Sequence, residues 1–162
     1  MEPSLDGLEI ALSLQKVLIE QGKTIAFAES CTGGYLSHLM TSNAGSSACF
    51  LGSFITYSNV LKQKVLHVKE STLKQYGAVS QQTVEEMLEG VFQITEADFA
   101  IAVSGVAGPE GGTEKAPVGT VWFSIGERGK SKDSGCLQIS GDRKEVINKA
   151  SCCLLFLLHK KL

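Results

Sequence analysis

The sequence has neither a long apolar run nor an excess of charge of one sign. Its longest apolar stretch, residues 152–158, is far shorter than the roughly 18 to 20 residues that a bilayer-spanning helix needs. Fifteen Lys and Arg residues against 17 Asp and Glu residues leave a formal net charge of −2. No global field attracts nucleic acid or an anionic membrane, so any anion site must be local. We therefore expect no membrane partner and no nucleic-acid partner.

Cysteines and histidines at metal-binding spacing are also missing. The five cysteines are odd in number and contain no CxxC pair; they stand at positions 31, 49, 136, 152 and 153. This pattern argues against a disulfide framework and against a zinc site. The histidines, at positions 38, 67 and 159, show no ligand spacing. Because the first residues also lack a basic-then-apolar signal segment, we expect reduced thiols, a cytoplasmic location and no bound metal.

Helix and strand patterns alternate along the chain, and 43% of the residues are hydrophobic, enough for one domain over residues 1–162 to bury a sizeable core. Apolar periodicity and capping residues predict helices over residues 5–21, after Gly34, over 59–66, after Ser80 and after Asp142. Apolar runs predict strands over residues 24–28, 54–57, 98–104, 118–126 and 134–139. Such interleaving is typical of the α/β class, here a three-layer α/β/α sandwich. Since a short turn joins the last two strands, the sheet should be mixed and mostly parallel.

The sequence ESCTGG, residues 29–34, separates the first predicted strand from the second predicted helix. A helix that begins at a glycine turn points unpaired backbone N–H groups and the positive end of its dipole beyond the strand end. Such a place suits a phosphate or an oxyanion. On the local pattern alone a second interpretation is equally good, in which Gly33 and Gly34 only allow tight packing and Ser30 only caps the helix.

Residues 105–117 form the only long Gly/Pro segment and directly follow a predicted core strand. A loop of this length inside a small domain is more often functional than a plain surface connection. It matches neither the GxGxxG nor the Walker pattern, which excludes the two best-known nucleotide fingerprints. A GxSxG nucleophile elbow is missing as well, which argues against an α/β-hydrolase.

Three polar residues elsewhere stand next to predicted strand ends or helix starts. Tyr57 ends a predicted strand and Lys62 lies inside the next predicted helix; a phenol and an amine that meet can relay a proton from a serine. Arg143 begins the last predicted helix, where a guanidinium can hold a phosphate bidentately. Taken singly, each has a plainer interpretation: a core-edge aromatic residue, a solvated charge and a surface charge.

Seven segments occur in an order that resembles the CinA C-terminal domain family: AESCTGG, GSS, TYSN with Lys62 shortly after, YGAVS, VSGVAGPEGG, PVGTVWFS and SGDR. The resemblance runs from about residue 8 to the end of the chain. Active members of this family are nicotinamide mononucleotide deamidases of the PncC type. It implies hydrolysis of the carboxamide of nicotinamide mononucleotide to nicotinate mononucleotide and ammonia, without a cofactor, in pyridine-nucleotide recycling. Full CinA proteins carry an additional molybdopterin-binding-like domain, so the sequence is similar to the stand-alone form.

The resemblance also implies roles for single residues. Ser30 is the nucleophile, with Tyr57 and Lys62 assisting, while Ser104 and Arg143 help to bind the substrate. Amide hydrolysis further needs N–H donors for a tetrahedral oxyanion; the candidates lie around Cys31, Thr32, Gly33 and Gly34, or around Gly105 and Gly108. The chain departs from the family where Ala116, rather than lysine, precedes Pro117, and where Tyr76 replaces a common histidine.

Several choices stay open at the level of sequence. Lys62 is a useful base near neutral pH only if its pKa falls by roughly 3 from about 10.4. Otherwise a charged Lys62 lowers the pKa of Tyr57, which then takes the serine proton. Cys31 is a rival nucleophile, because a thiol at a helix N-terminus can have a lowered pKa. Glu29 either orients Lys62 or caps the glycine turn.

Two other functions are compatible with the same groups. One is a non-catalytic nucleotide-binding module with an unactivated serine, and the other is a protein-interaction role, in line with the family's association with DNA competence. The ends of a mixed sheet and the apolar last helix make a homo-oligomer a further expectation.

Overall fold

The computed structural model describes residues 6–162, in which a five-stranded sheet carries helices on both faces. The helices are α1 (Gly7–Glu20), α2 (Tyr35–Thr41), α3 (Asn59–Leu66), α4 (Glu70–Tyr76), α5 (Gln81–Ile94) and α6 (Arg143–His159). The strands are β1 (Ile25–Glu29), β2 (Phe50–Ile55), β3 (Phe99–Gly105), β4 (Thr120–Glu127) and β5 (Lys132–Gln138). The predicted α/β class is thereby confirmed.

The strand order is β2-β1-β3-β4-β5. Strand β1 pairs in parallel with β2 and with β3, whereas β4 is antiparallel to both β3 and β5. Four strands therefore run in one direction and β4 runs against them, which confirms the predicted mixed, mostly parallel sheet. Because β1, β2 and β3 are parallel neighbours, their carboxyl ends meet at one edge of the sheet.

The two faces of the sheet pack against different helices. Large side chains such as Phe27 and Ile101 face α1, α2 and α6, and the buried faces of these helices complete that core. Alternate positions carry small residues, for example Ala28 and Ala102, which pack against α3 and α5. This alternation follows from the period of two in a strand, and it confirms the three-layer α/β/α arrangement.

Helix ends follow the predicted capping residues. The side chain of Ser80 caps α5, and Asp142 forms a capping box with Glu145 at the start of α6. Gly22 follows the C-cap of α1 with a φ of +63°, as expected of a residue in the left-handed region. The predicted start of α1 at residue 5 lies outside the described residues; within them, Asp6 caps this helix.

One strand was placed wrongly by the sequence pattern. Strand β2 begins at Phe50 and ends at Ile55, whereas the prediction put a strand over residues 54–57. As an edge strand, β2 is only partly buried, and Gly52 and Ser53 interrupt its apolar pattern. The short α4, which lies between α3 and α5, was not predicted because seven residues are too few to show helical periodicity.

None of the helices within residues 6–162 combines the length and the apolar character needed to cross a bilayer.

Candidate active site

The sheet register brings three hydroxyl-bearing residues side by side at the carboxyl edge. The N–H of Thr56 donates to the carbonyl of Glu29 at 2.9 Å, and the N–H of Ser30 donates to the carbonyl of Val103 at 3.1 Å. Parallel pairing therefore continues one residue past the ends of β1 and β2. Ser30 lies between Thr56 on one side and Ser104 of β3 on the other. Side-chain alternation puts all three on the face of the sheet that packs against α3 and α5.

Lys62 of α3 contacts Ser30 directly. Its Nζ lies 2.9 Å from Ser30 Oγ, 2.8 Å from the carbonyl oxygen of Thr56 and 3.5 Å from that of Tyr57. Only 1% of Lys62 and 7% of Ser30 is exposed. Burial lowers the pKa of Lys62 from its ordinary value of 10.5 to about 8, because an ammonium ion loses hydration inside the protein. Lys62 is thus neither solvated nor at the surface.

The three oxygen atoms around Lys62 fit both protonation states of an amine. A charged ammonium has three N–H donors, one for each oxygen. After loss of a proton, two N–H groups remain for the carbonyls of Thr56 and Tyr57, and the nitrogen lone pair faces the hydroxyl of Ser30. The arrangement can therefore accept a proton from Ser30 and return it without moving the lysine.

Glu29 is fully buried and caps the glycine turn. Its carboxylate accepts six hydrogen bonds, three at each oxygen: Thr32 Oγ1 (2.7 Å), Gly34 N (3.0 Å) and Leu36 N (3.2 Å) at Oε2, and Ser37 N (3.1 Å), Ser37 Oγ (2.6 Å) and Ser53 Oγ (3.1 Å) at Oε1. The negative charge sits at the positive end of α2. Within residues 6–162 it forms no ion pair with Lys62. The N–H groups predicted to await an external anion are therefore largely used by the protein's own carboxylate.

The glycines of the turn are required by its backbone. Gly33 and Gly34 have φ angles of +59° and +101°, a region that side chains other than glycine rarely adopt. A Cβ on Gly34 would also approach Cδ1 of Ile55 to 3.0 Å. Gly34 is the N-cap of α2, so Ser30 does not cap this helix. Its hydroxyl is left for Lys62.

The pKa of the Cys31 thiol is raised, whereas a thiol at a helix N-terminus is expected to have a lowered pKa. Burial raises its pKa to about 12, and the charges of Lys62 and Arg143 lower it by less than burial raises it. The backbone N–H of Cys31 also lowers the pKa of the thiol, but by less than burial raises it. The expectation of a lowered pKa was therefore wrong.

Arg143 and Tyr57 form a pair at the same edge of the sheet. The guanidinium of Arg143 donates from Nη1 to the carbonyl of Gly108 and from Nη2 to the hydroxyl of Tyr57, each at 2.7 Å. Tyr57 is 56% exposed. Its hydroxyl thus lies beside Arg143, while its backbone carbonyl faces Lys62.

The loop at residues 105–117 approaches the site through its first residues. Ser104, which precedes it, is buried, and Gly108 is tied to α6 through Arg143. A Cβ on Gly105 would meet the carbonyl oxygen of Thr120 at 2.6 Å, so close packing against β4 accounts for this glycine. Residues 109–115 are exposed.

A groove of about 550 Å³ opens beside the glycine turn, between α2 and α6. It is lined by Thr32, Gly33, Gly34, Tyr35, His38, Lys144, Ile147 and Asn148. Its volume is typical of small-molecule sites, and Lys144 supplies a positive charge. Three of the predicted substrate-binding residues, Thr32, Gly33 and Gly34, thus lie in one wall.

No three His, Cys, Asp or Glu side chains in the described part of the chain are grouped so that they could hold a metal ion. Among the histidines, His38 lines the groove, while His159 contacts Ser13 Oγ at 2.9 Å. Within residues 6–162, none of the five cysteines is joined in a disulfide bond.

Sequence reasoning missed two contributors to this site. The carbonyl of Thr56 holds Lys62, and Lys144 lines the groove. A backbone carbonyl carries no sequence signal, since every residue has one. Lys144 directly follows Arg143, and that proximity was the only available indication.

Comparison with known proteins shows which family the sequence matches. The family described as CinA C-terminal domain matches residues 8–162. A CinA-like protein of Thermotoga neapolitana is 47% identical over 147 residues, which are 91% of this chain and 36% of that protein. The nicotinamide-nucleotide amidohydrolase PncC of Enterobacter agglomerans is 47% identical over 138 residues, which are 85% of this chain and 84% of that protein. The chain therefore spans about a third of the first relative and most of the second.

A solved structure extends the likeness to three dimensions. The competence damage-inducible protein A of Klebsiella pneumoniae superposes with a TM-score of 0.93 at 38% identity, over 96% of each chain. The resemblance predicted from seven ordered segments is confirmed over nearly the whole sequence: the chain belongs to the CinA C-terminal domain family.

Proposed function

We propose that this protein hydrolyses the carboxamide of nicotinamide mononucleotide to nicotinate mononucleotide and ammonia. The observation that carries the proposal is the 2.9 Å contact between the amine of Lys62 and the hydroxyl of Ser30, both buried. A serine activated by an adjacent base is a standard nucleophile for acyl transfer. The name of the Enterobacter agglomerans relative, a nicotinamide-nucleotide amidohydrolase, supports this substrate.

The proposed reaction proceeds through an ester on Ser30. Neutral Lys62 takes the hydroxyl proton as Oγ attacks the carboxamide carbon, and a tetrahedral oxyanion forms. The resulting ammonium of Lys62 returns its proton to the leaving nitrogen, so that the C–N bond breaks and ammonia departs. Lys62 then takes a proton from water, whose oxygen attacks the ester, and Ser30 regains its proton from Lys62 as nicotinate mononucleotide is released.

We propose that the N–H groups of Cys31 and Thr32 hold the oxyanion. Among the described residues, the N–H of Thr32 makes no hydrogen bond, and that of Cys31 interacts with its own sulfur alone. The neighbouring N–H groups are already used, since Gly33 donates to the carbonyl of Ser30 and Gly34 to Glu29. Donors next to the nucleophile in the chain stabilise charge as it develops there.

The rest of the substrate is proposed to extend from Ser30 across the turn. Ser104, Gly105 and Gly108 border it on one side. The groove at Thr32, Gly33 and Gly34 receives the ribose and the phosphate on the other. Arg143 and Lys144 provide the positive charge near that path, as a phosphate requires.

Incubation of the purified protein with nicotinamide mononucleotide and a metal chelator should release ammonia and nicotinate mononucleotide in equal amounts. The reason is that the proposed steps use only side chains and water. A coupled ammonia assay and chromatography of the nucleotide measure the two products. Nicotinamide itself, which lacks ribose and phosphate, is the control and should be a far poorer substrate. Binding of the mononucleotide without ammonia release would contradict the proposal and would identify a nucleotide-binding module.

The rate should rise with pH through about 8, the pKa of Lys62. Lys62 acts as a base only when it is neutral, and its neutral fraction grows as pH exceeds its pKa. We expect kcat/KM at pH 6 to be about a hundredfold below its plateau above pH 9. A profile from pH 5.5 to 10, with circular dichroism at each pH as a check on folding, measures this. A flat or falling profile would exclude Lys62 as the base.

We further propose that residues 1–162 act as one domain, in the cytoplasm and as a homo-oligomer. Cysteines that form no disulfide bond among the described residues support a reducing compartment. Exposed apolar side chains on the edge strand β2 and the start of α3 support self-association: Leu51, Ile55, Val60 and Leu61.

A further inference from the structure

We propose that Tyr57 is a positioning residue, which holds the guanidinium of Arg143 for the substrate and takes no part in moving the proton of Ser30. The inference rests on the proposed function, because it assigns roles within the same site. It departs from the role that the resemblance to the family implies for this tyrosine.

The two ends of Tyr57 point to different parts of the site. Thr56 faces α3, so side-chain alternation directs Tyr57 to the opposite face of the sheet, towards α2 and α6. There its hydroxyl accepts a hydrogen bond from Nη2 of Arg143 at 2.7 Å. Towards Lys62 it presents only its backbone carbonyl, at 3.5 Å. The phenol is therefore engaged with the arginine.

A proton relay through Tyr57 is also unnecessary. Nζ of Lys62 already lies 2.9 Å from Oγ of Ser30, within hydrogen-bond reach for direct transfer. If the phenol of Tyr57 relayed the proton, it would have to lie between Lys62 and Ser30 and so break their direct contact. Since 56% of Tyr57 is exposed, surrounding side chains do not enclose it beside the serine.

Arg143 gains a defined orientation from two acceptors on different segments. The carbonyl of Gly108 holds Nη1 from the loop after β3, and the hydroxyl of Tyr57 holds Nη2 from the end of β2, each at 2.7 Å. A free arginine side chain populates many rotamers, so two fixed points lower the entropy cost of ordering it on binding. The guanidinium keeps further N–H donors for a phosphate or another anionic group.

The fixed guanidinium of Arg143 has donors left for one ligand group. Its contacts with Gly108 and Tyr57 use two of its five N–H donors. The planar fork of the remaining donors matches the geometry of a phosphate. The chemistry that fits is the phosphate of the mononucleotide rather than its reacting amide.

Tyr57→Phe tests this directly. We expect KM for nicotinamide mononucleotide to rise about fivefold to tenfold, which corresponds to the loss of one ordinary hydrogen bond. We expect kcat to stay within about threefold of the wild type, and the rise of kcat/KM with pH to keep its midpoint. In an Arg143→Lys background the same change should add almost nothing, because the two residues act as one unit.

A binding measurement separates this inference from the proposed function. In a Ser30→Ala protein, which cannot form the ester, calorimetry should show that Tyr57→Phe weakens mononucleotide binding by the same factor. This holds even if the wild type releases no ammonia, a result that would overturn the proposed function alone. Tyr76→Phe, at an exposed phenol on α4, is the matched control and should change neither constant.

Three results would overturn the inference. A fall in kcat of a hundredfold or more with unchanged KM would make Tyr57 a catalytic residue. If Tyr57→Phe raised KM as much in the Arg143→Lys background as in the wild type, Tyr57 would not act through Arg143. Unchanged KM and unchanged affinity would leave the hydrogen bond without a role in binding.

Discussion

Ser30→Ala should lower kcat for ammonia release by about four orders of magnitude or more, and Lys62→Met should do the same. The alanine removes the attacking oxygen, and the methionine removes the base while it fills the buried space of the lysine stem. Because nucleophile and base act in one step, the double variant should be no slower than either single variant. The coupled ammonia assay measures all three, with thermal melting as a check that they are folded.

Cys31→Ala is the matched control for this pair. A thiol whose pKa is raised to about 12 is protonated and unreactive near neutral pH, so the variant should keep most of its activity. The reverse outcome, full activity in Ser30→Ala and none in Cys31→Ala, would transfer the nucleophile to the thiol. The contact between Ser30 and Lys62 would then be structural.

Glu29→Gln should destabilise the protein by about 3 kcal/mol or more. The carboxylate accepts six hydrogen bonds, three at each oxygen. A glutamine keeps one oxygen and replaces the other with an NH₂ group, which is itself a donor. The hydroxyls can rotate to accept from this group, but the backbone N–H groups cannot. Whichever way the amide turns, either the N–H of Ser37 or those of Gly34 and Leu36 would face a donor. Urea unfolding followed by circular dichroism measures the loss of free energy of unfolding.

Glu86→Gln provides the comparison for this experiment. Glu86 is partly exposed and, within residues 6–162, accepts two hydrogen bonds, from Lys69 N at 2.8 Å and Thr72 Oγ1 at 2.7 Å. We expect Glu86→Gln to lower the free energy of unfolding by no more than about 1 kcal/mol, because water can accept a hydrogen bond that the glutamine amide cannot accept. Equal losses in the two variants would mean that Glu29 does not organise the turn as described.

Much of the fold follows from local signals in the sequence. Ser80 and Asp142 mark helix starts because a short polar side chain can accept the first free N–H groups. The buried strands β1 and β3 are apolar up to Ala28 and Val103, since helices cover both faces. Strand β2 is different: it lies at an edge, it is partly exposed, and Gly52 breaks its pattern. Its position along the chain depends on pairing with β1, and a local sequence pattern carries no information about that pairing.

The candidate site was predicted less by pattern than by resemblance. Spacing alone left Lys62 as a solvated charge; its burial depends on α3 packing against the sheet and on carbonyls that only the folded chain brings near. The acidity of Cys31 was predicted in the wrong direction, because the local pattern does not reveal that the folded chain buries this thiol. Tyr57 was named from the sequence, but the contact of its hydroxyl with Arg143 required the structure.

The strand pair β3–β4 has one end beside the candidate active site and its other end far from it. Gly105 pairs with Val121 near the serine, and Phe99 pairs with Glu127 at the other extreme, next to the turn at residues 128–131. Seven residues of strand separate these ends by about 20 Å. A fluorophore, a peptide tag or a solid support attached at this turn would therefore lie a whole strand length from Ser30. The turn is a suitable attachment point for immobilising the protein.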